Sequence, residues 1–114
     1  VEDPELLQRL KDAHIALNVC FSSNVIGGLY SPQTHPLGKL FSDGQLVTVS
    51  TDDPMLLDLP LLKELQIVTE QYGWGINEVL QLQKNAVAAA FCTQEEKEKL
   101  YAYIDVFQKK LSAF

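Results

Sequence analysis

The sequence predicts an α/β fold built around two parallel strands. Two short apolar runs, at residues 15–20 and 46–50, are typical of buried strands because β-branched and other apolar side chains dominate them. A helical pattern lies between these runs, and the order strand, helix, strand favours a right-handed crossover with parallel strands. Apolar residues make up 46% of the 114 residues, so the chain is able to bury a hydrophobic core.

The first half of the chain alternates helices with strands. An Asp-Pro pair at residues 3–4 is typical of an N-cap followed by proline, and it predicts a helix over residues 4–13. After the first strand, two glycines and a proline within residues 21–33 predict a long loop. A Thr-His-Pro run at residues 34–36 begins a second helix, and an Asp-Gly pair at residues 43–44 ends it.

Three helices are predicted after the second strand. The first covers residues 61–72 and ends at a Gly-Trp-Gly run, and the second covers residues 76–90. The third begins at Thr93, because a threonine followed three residues later by Glu96 forms a capping box. The apolar side chains predicted to line the inner face of this last helix are Leu100, Ile104, Phe107 and Leu111.

The composition excludes several classes of partner. Nine basic residues against 15 acidic ones give a net charge of −6. No basic stripe is available to neutralise phosphates, so the sequence predicts no nucleic-acid partner and no anionic membrane surface. No apolar run approaches the ~18 residues that span a bilayer, and the chain begins with a helix pattern rather than a leader. Cys20 and Cys92 are predicted to be free thiols, and we expect a cytoplasmic protein.

Two adjacent aspartates come shortly after the second strand. Asp52 and Asp53 stand where α/β folds and barrels carry their active sites, beyond the carboxyl end of a buried strand. A carboxylate there is able to bind a metal ion or a polar ligand atom. However, Asp53 followed by Pro54 is also typical of an ordinary helix N-cap. The spacing alone leaves a functional site and a structural cap open.

Three motifs resemble the adenosine deaminase family in content, order and spacing. They are Cys-Phe-Ser-Ser-Asn at residues 20–24, His-Pro at residues 35–36, and Val-Thr-Val-Ser-Thr-Asp-Asp-Pro at residues 47–54. The resemblance extends from about residue 2 to residue 107. Outside the three motifs it is carried by Leu61, Glu64, Asn85, Phe91 and the charged helix start at residues 95–97.

The resemblance implies a (β/α)8 TIM barrel, of which this chain is the C-terminal portion. The two parallel strands would be the last two of the barrel, with flanking and C-terminal helices around them. Residues 1–114 would then be the C-terminal part of a single adenosine-deaminase-type domain, and an N-terminal portion of the same barrel would be its partner. Apolar parallel strands are usually flanked by other strands on both edges, so two such strands alone are consistent with part of a larger barrel.

The same resemblance implies a chemical role for each aspartate. Asp52 matches a catalytic aspartate that ligates one zinc ion, and Asp53 matches a catalytic aspartate that hydrogen-bonds N7 of a purine substrate. The implied reaction is hydrolytic loss of the amino group at purine C6, from adenosine to inosine and ammonia, with zinc activating the water. Three histidine ligands, and a glutamate and a histidine that assist proton transfer, are expected upstream of Val1.

Other interpretations remain open beside this one. The substrate could be adenine, adenosine monophosphate or an aminofutalosine-type nucleoside, or the chain could be a non-catalytic remnant that binds a partner through its strand edges. His14 and His35 are predicted to cap or pack rather than to bind metal. Ser22, Ser23 and Asn24 are predicted to satisfy backbone groups where the first strand bends into a loop.

Overall fold

A computed structural model describes residues 2–113 of the chain. The order within that range is a helix, a strand, two helices, a second strand and three further helices. The bounds are α1 (Pro4–Asp12), β1 (Leu17–Val19), α2 (Phe21–Ile26), α3 (Leu37–Ser42), β2 (Val47–Val49), α4 (Leu61–Tyr72), α5 (Ile76–Ala89) and α6 (Gln94–Ser112). Among the described residues, no helix combines the length and the apolar character needed to cross a membrane.

The two strands form a parallel pair, which confirms the prediction from the strand–helix–strand order. Leu17 pairs with Val47, Asn18 with Thr48 and Val19 with Val49. The Ser50 N–H group also donates to the Val19 carbonyl oxygen at 2.9 Å, so the strands stay paired as they end. Because the strands are parallel, the residues that follow both of them lie at one edge of the sheet.

A small core joins the strands to three helices. Its buried members, drawn from both strands and from α2, α3 and α4, are Val19, Phe21, Leu37, Leu40, Val47 and Val68. Helix α5 also packs against β2, and the Asn85 side chain donates from Nδ2 to the Val47 carbonyl oxygen at 2.8 Å. The strand pair is therefore covered by helices, as in other α/β folds.

The loop predicted over residues 21–33 is partly wrong, because residues 21–26 form helix α2. Its N-cap residue, Cys20, makes no side-chain capping hydrogen bond. The Ser22 N–H group instead donates to the Glu64 carboxylate, which belongs to α4 and is 42 residues away. A helix whose first N–H groups are hydrogen-bonded by a distant residue has no local capping signal in its sequence, so local patterns do not predict it.

The predicted inner face of α6 is wrong for three of its four residues, since only Ile104 is half-buried, although the start of this helix is confirmed. Thr93 accepts from the Glu96 N–H group, and the Glu96 carboxylate accepts from the Thr93 N–H group, as in a capping box. Leu100, Phe107 and Leu111, however, are 41%, 50% and 39% exposed. Helix α6 packs chiefly against α5, and α5 alone leaves much of the apolar stripe of α6 uncovered.

Candidate functional site

The aspartate pair lies at the carboxyl-end edge of the strand pair, where the sequence predicted it. Strand β2 ends at Val49, and Asp52 and Asp53 follow after a two-residue link. Strand β1 ends at Val19 and leads into α2, which begins beside the aspartates. Both aspartates are exposed, so their carboxylates are accessible from outside the folded chain.

The Asp52 carboxylate is held by the first turn of α2. Its Oδ2 atom accepts a hydrogen bond from the Ser23 hydroxyl at 2.7 Å. The Asp52 N–H group hydrogen-bonds the Cys20 sulfur, so the segment that follows β1 holds Asp52 through both its backbone and its side chain. The Asp52 backbone has a φ of 67°, in the left-handed region that non-glycine residues rarely adopt.

The Asp53 carboxylate caps a turn with one of its two oxygens. Its Oδ1 atom accepts from the Leu56 N–H group at 3.1 Å, and its carbonyl oxygen accepts from the Leu57 N–H group at 3.0 Å. The segment that it caps, residues 54–58, is a turn rather than an α-helix. Oδ1 thus caps a turn and not the helix that an Asp-Pro pair is typical of, while Oδ2 makes no hydrogen bond within the described part of the chain.

Glu64 is a buried carboxylate. It is part of the resemblance to the adenosine deaminase family, but the sequence analysis predicts no role for it. Its side chain is 0% exposed. Its Oε1 atom accepts from the Ser22 N–H group at 3.0 Å, and its Oε2 atom accepts from the Ser22 hydroxyl. The sequence does carry a signal for this residue, because Glu64 precedes the buried Val68 by four residues, which places both on one side of α4.

The predicted roles of the polar residues after β1 are therefore corrected. Ser22 was expected to bond backbone groups at a bend, but its hydroxyl donates to Glu64. The Ser23 hydroxyl donates to Asp52, and the Asn24 side chain accepts from His35. These side chains face other side chains because the segment forms a helix, whose backbone groups largely satisfy one another.

Cys20 lies close enough to the Asp52 and Glu64 carboxylates to interact with them electrostatically. Burial raises the pKa of the Cys20 thiol above its ordinary value, and the negative charges of Asp52 and Glu64 raise that pKa further. The thiol therefore stays protonated at neutral pH, which disfavours Cys20 as a metal ligand or a nucleophile. Cys20 and Cys92 are both free, as predicted.

His35 has a packing and capping role, as the sequence predicted. Its Nδ1 atom accepts from the Leu37 N–H group at 3.2 Å, so the proton of the neutral ring is on Nε2, which donates to Asn24 Oδ1 at 3.1 Å. Burial lowers the pKa of His35, and the Glu64 charge opposes that effect. His14 lies in the exposed turn that precedes β1, at the opposite end of the strand from the aspartates.

Asp52 fits one position of a zinc site. Carboxylate oxygens are ordinary zinc ligands, and Oδ1 of Asp52 makes no hydrogen bond within residues 2–113. No three His, Cys, Asp or Glu side chains of that same range are grouped so that they could hold a metal ion. A catalytic zinc takes about three protein ligands and a water, so the other ligands would have to come from elsewhere.

Comparison with known proteins places this geometry in a family. The profile of the adenosine deaminase family matches residues 1–107. An adenine deaminase of Rhizobium meliloti is 35% identical over 107 residues, which are 93% of this chain and 33% of that protein. An adenosine deaminase of Shewanella loihica is 33% identical over 103 residues, which are 90% of this chain and 31% of that protein. The chain thus spans about a third of the length of these curated relatives.

A solved structure extends the comparison to the fold. The crystal structure of adenine deaminase from Arthrobacter aurescens superimposes with a TM-score of 0.88 at 25% identity, over 95% of this chain and 33% of that one. This match confirms the predicted fold class, the C-terminal portion of a (β/α)8 TIM barrel. The family profile covers both aspartates and nearly the whole chain, and the chain accordingly belongs to the adenosine deaminase family.

Proposed function

We propose that this chain supplies the aspartate pair of a zinc-dependent hydrolase that removes the amino group of an aminopurine nucleoside, from adenosine to inosine and ammonia. The observation that carries the proposal is the placement of Asp52 and Asp53 at the carboxyl-end edge of the strand pair, each with one carboxylate oxygen that makes no hydrogen bond to residues 2–113. Membership in the adenosine deaminase family supports the reaction type. The N-terminal portion of the same barrel is the partner that would complete the site.

Asp52 is the residue that would hold the metal ion. The Ser23 hydroxyl occupies Oδ2 at 2.7 Å, which leaves Oδ1 for coordination. A ligating carboxylate that is itself hydrogen-bonded is held in one orientation, and such support improves metal affinity. When bound, zinc supplies an activated water for hydrolysis near neutral pH.

Asp53 would bind the purine. Its Oδ1 atom is fixed by the Leu56 N–H group, so the side chain has a defined direction and Oδ2 is free to contact a ligand. Purine N7 and a carboxylate oxygen are both acceptors, so one proton must lie between them in the complex. Asp53 therefore holds a proton on N7 or donates one to it, and in either case it positions the purine ring.

Alanine substitutions in the complete enzyme separate the two roles. Asp52→Ala should lose zinc and turnover together, whereas Asp53→Ala should keep zinc and lower kcat/KM by about 100-fold or more. Asp12→Ala is the matched control, because Asp12 is an exposed aspartate at the end of α1, remote from the strand ends that lead to the pair. Near-normal kcat/KM in both test variants would mean that the pair is only a turn cap.

Adenine is a second candidate substrate. The Rhizobium meliloti relative and the Arthrobacter aurescens structure are both named adenine deaminases, whereas the Shewanella loihica relative is named an adenosine deaminase. An ammonia-release assay with adenosine, adenine, adenosine monophosphate and an aminofutalosine-type nucleoside would rank the candidates by kcat/KM. Failure to release ammonia from any of them would favour a non-catalytic role for the barrel.

The expected location is the cytoplasm. Cys20 and Cys92 are both free in the folded chain, which supports a reducing compartment. Fractionation of cells that express the complete protein would test this expectation.

A further inference from the structure

Glu64 is a buried carboxylate of α4 that contacts the start of α2. The side chain is completely buried, and its hydrogen-bond partners are the N–H and hydroxyl groups of Ser22. A buried carboxylate gives up its hydration, and an apolar side chain of similar volume often serves stability as well or better. The presence of a carboxylate here therefore calls for a specific task.

That task begins at the first turn of α2. The first N–H groups of a helix have no partner within the helix, and Cys20, the N-cap residue, provides no side-chain acceptor. Glu64 fills that role from α4 by accepting from Ser22 through both the main chain and the side chain. The carboxylate thereby fixes the position and the rotation of the start of α2.

The start of α2 is also the segment that holds Asp52. The Ser23 hydroxyl donates to Oδ2 of Asp52 at 2.7 Å, and the Cys20 sulfur accepts from the Asp52 N–H group. Ser22 lies between these two contacts in the chain, and it is the residue that Glu64 anchors. A rotation of this turn would move the Ser23 hydroxyl away from the Asp52 carboxylate.

We propose that Glu64 is a positioning residue for the Asp52 carboxylate, acting through Ser22 and Ser23 at the start of α2. The proposal rests on the proposed function, in which Asp52 is a zinc ligand. Glu64 itself touches neither metal nor substrate; it determines where the Ser23 hydroxyl lies and, through that hydroxyl, how the Asp52 carboxylate is oriented.

The test measures the zinc affinity of the complete enzyme by competition with a chelator. Glu64→Ala removes both acceptors from Ser22 and should weaken zinc affinity by about 10-fold or more, the range seen when support of a ligand is lost. Glu64→Gln should restore affinity, because the amide is able to accept from the Ser22 N–H group and donate to the Ser22 hydroxyl. Ser22→Ala, which removes only one of the two hydrogen bonds, should give a smaller loss.

Two controls separate positioning from stability. Glu70→Ala removes an exposed glutamate from the same helix and should leave zinc affinity unchanged. The double variant Ser23→Ala with Glu64→Ala tests the route, because residues that act in series give non-additive effects. We expect the double variant to bind zinc no more weakly than Glu64→Ala does. Thermal unfolding of each variant shows whether a lowered affinity reflects a loss of folded protein.

The outcomes distinguish the two proposals. If Asp52→Ala loses zinc but Glu64→Ala binds it with wild-type affinity, Glu64 has only a structural role and this inference is overturned. If Asp52→Ala retains zinc, the proposed function fails and the inference fails with it. Should Glu64→Ala not fold, Ser22→Ala decides the matter, since wild-type zinc affinity in that variant would overturn the inference.

Discussion

The Asn85 side chain of α5 donates a hydrogen bond from Nδ2 to the carbonyl oxygen of Val47 in β2 at 2.8 Å. Both residues are buried, and Oδ1 of Asn85 accepts from Gln81 at 2.9 Å. A side chain thus satisfies a main-chain acceptor of the strand that leads to the aspartate pair. This contact fixes α5 against β2.

Asn85→Ala should destabilise the protein by about 1–3 kcal/mol, because it leaves the buried Val47 carbonyl oxygen without its donor. Urea unfolding of the complete protein would measure the change. Asn77→Ala, at an exposed position of the same helix, is the matched control and should change stability by roughly 0.5 kcal/mol or less. Equal effects of the two substitutions would show that the Val47 contact has no special value.

His35 should make stability depend on pH in the mildly acidic range. Burial lowers the pKa of His35 in the folded state, so the unfolded chain binds more protons as the pH falls. The stability that the neutral ring contributes is complete above the unfolded pKa of about 6.5 and is lost as the pH falls through the folded pKa.

His35→Gln removes the titrating group and provides the comparison. The difference in unfolding free energy between the wild type and this variant should be larger at about pH 7.5 than at about pH 5, where protonation disrupts the acceptance by Nδ1 of the Leu37 N–H group. A difference that stays constant or grows on acidification would contradict the assignment of a neutral, buried ring.

The 114-residue chain by itself should self-associate. Met55, Leu56 and Leu62 are 92%, 80% and 76% exposed, and within the described residues each strand pairs only with the other. Unpaired strand edges and large apolar side chains recruit other chains. Sedimentation of the purified chain should therefore show concentration-dependent oligomers, and a compact monomer at every concentration would refute the expectation.

The sequence predicts the fold best where the signals are local. The two strands, the ends of α4 and α5 and the capping box of α6 follow from patterns within a few residues, and they are confirmed. Helix α2 is missed because its cap, Glu64, is distant in the chain. The inner face of α6 is wrong because helical spacing identifies an apolar stripe but does not say whether another element covers it.

In the candidate site, too, the features with local sequence signals are predictable and those that depend on tertiary contacts are not. The rule that active sites follow the carboxyl ends of strands is enough to predict where Asp52 and Asp53 lie. Parallel pairing alone does not predict the contact between Ser23 and Asp52. The contact can be predicted only once α2 is known to be a helix, because the first turn of α2 directs the Ser23 hydroxyl towards Asp52. Glu64 is detectable as a charge on an apolar stripe, but its partner is defined only by tertiary packing.

The left-handed backbone at Asp52 has an evolutionary consequence. A residue with a side chain at a φ of 67° gives up roughly 1 kcal/mol or more relative to glycine, which adopts that conformation freely. If the proposed zinc role of Asp52 is correct, position 52 should drift readily to glycine or asparagine in a lineage that is released from selection for that role. Position 53 would change more slowly, because its carboxylate also caps the turn at residues 54–58.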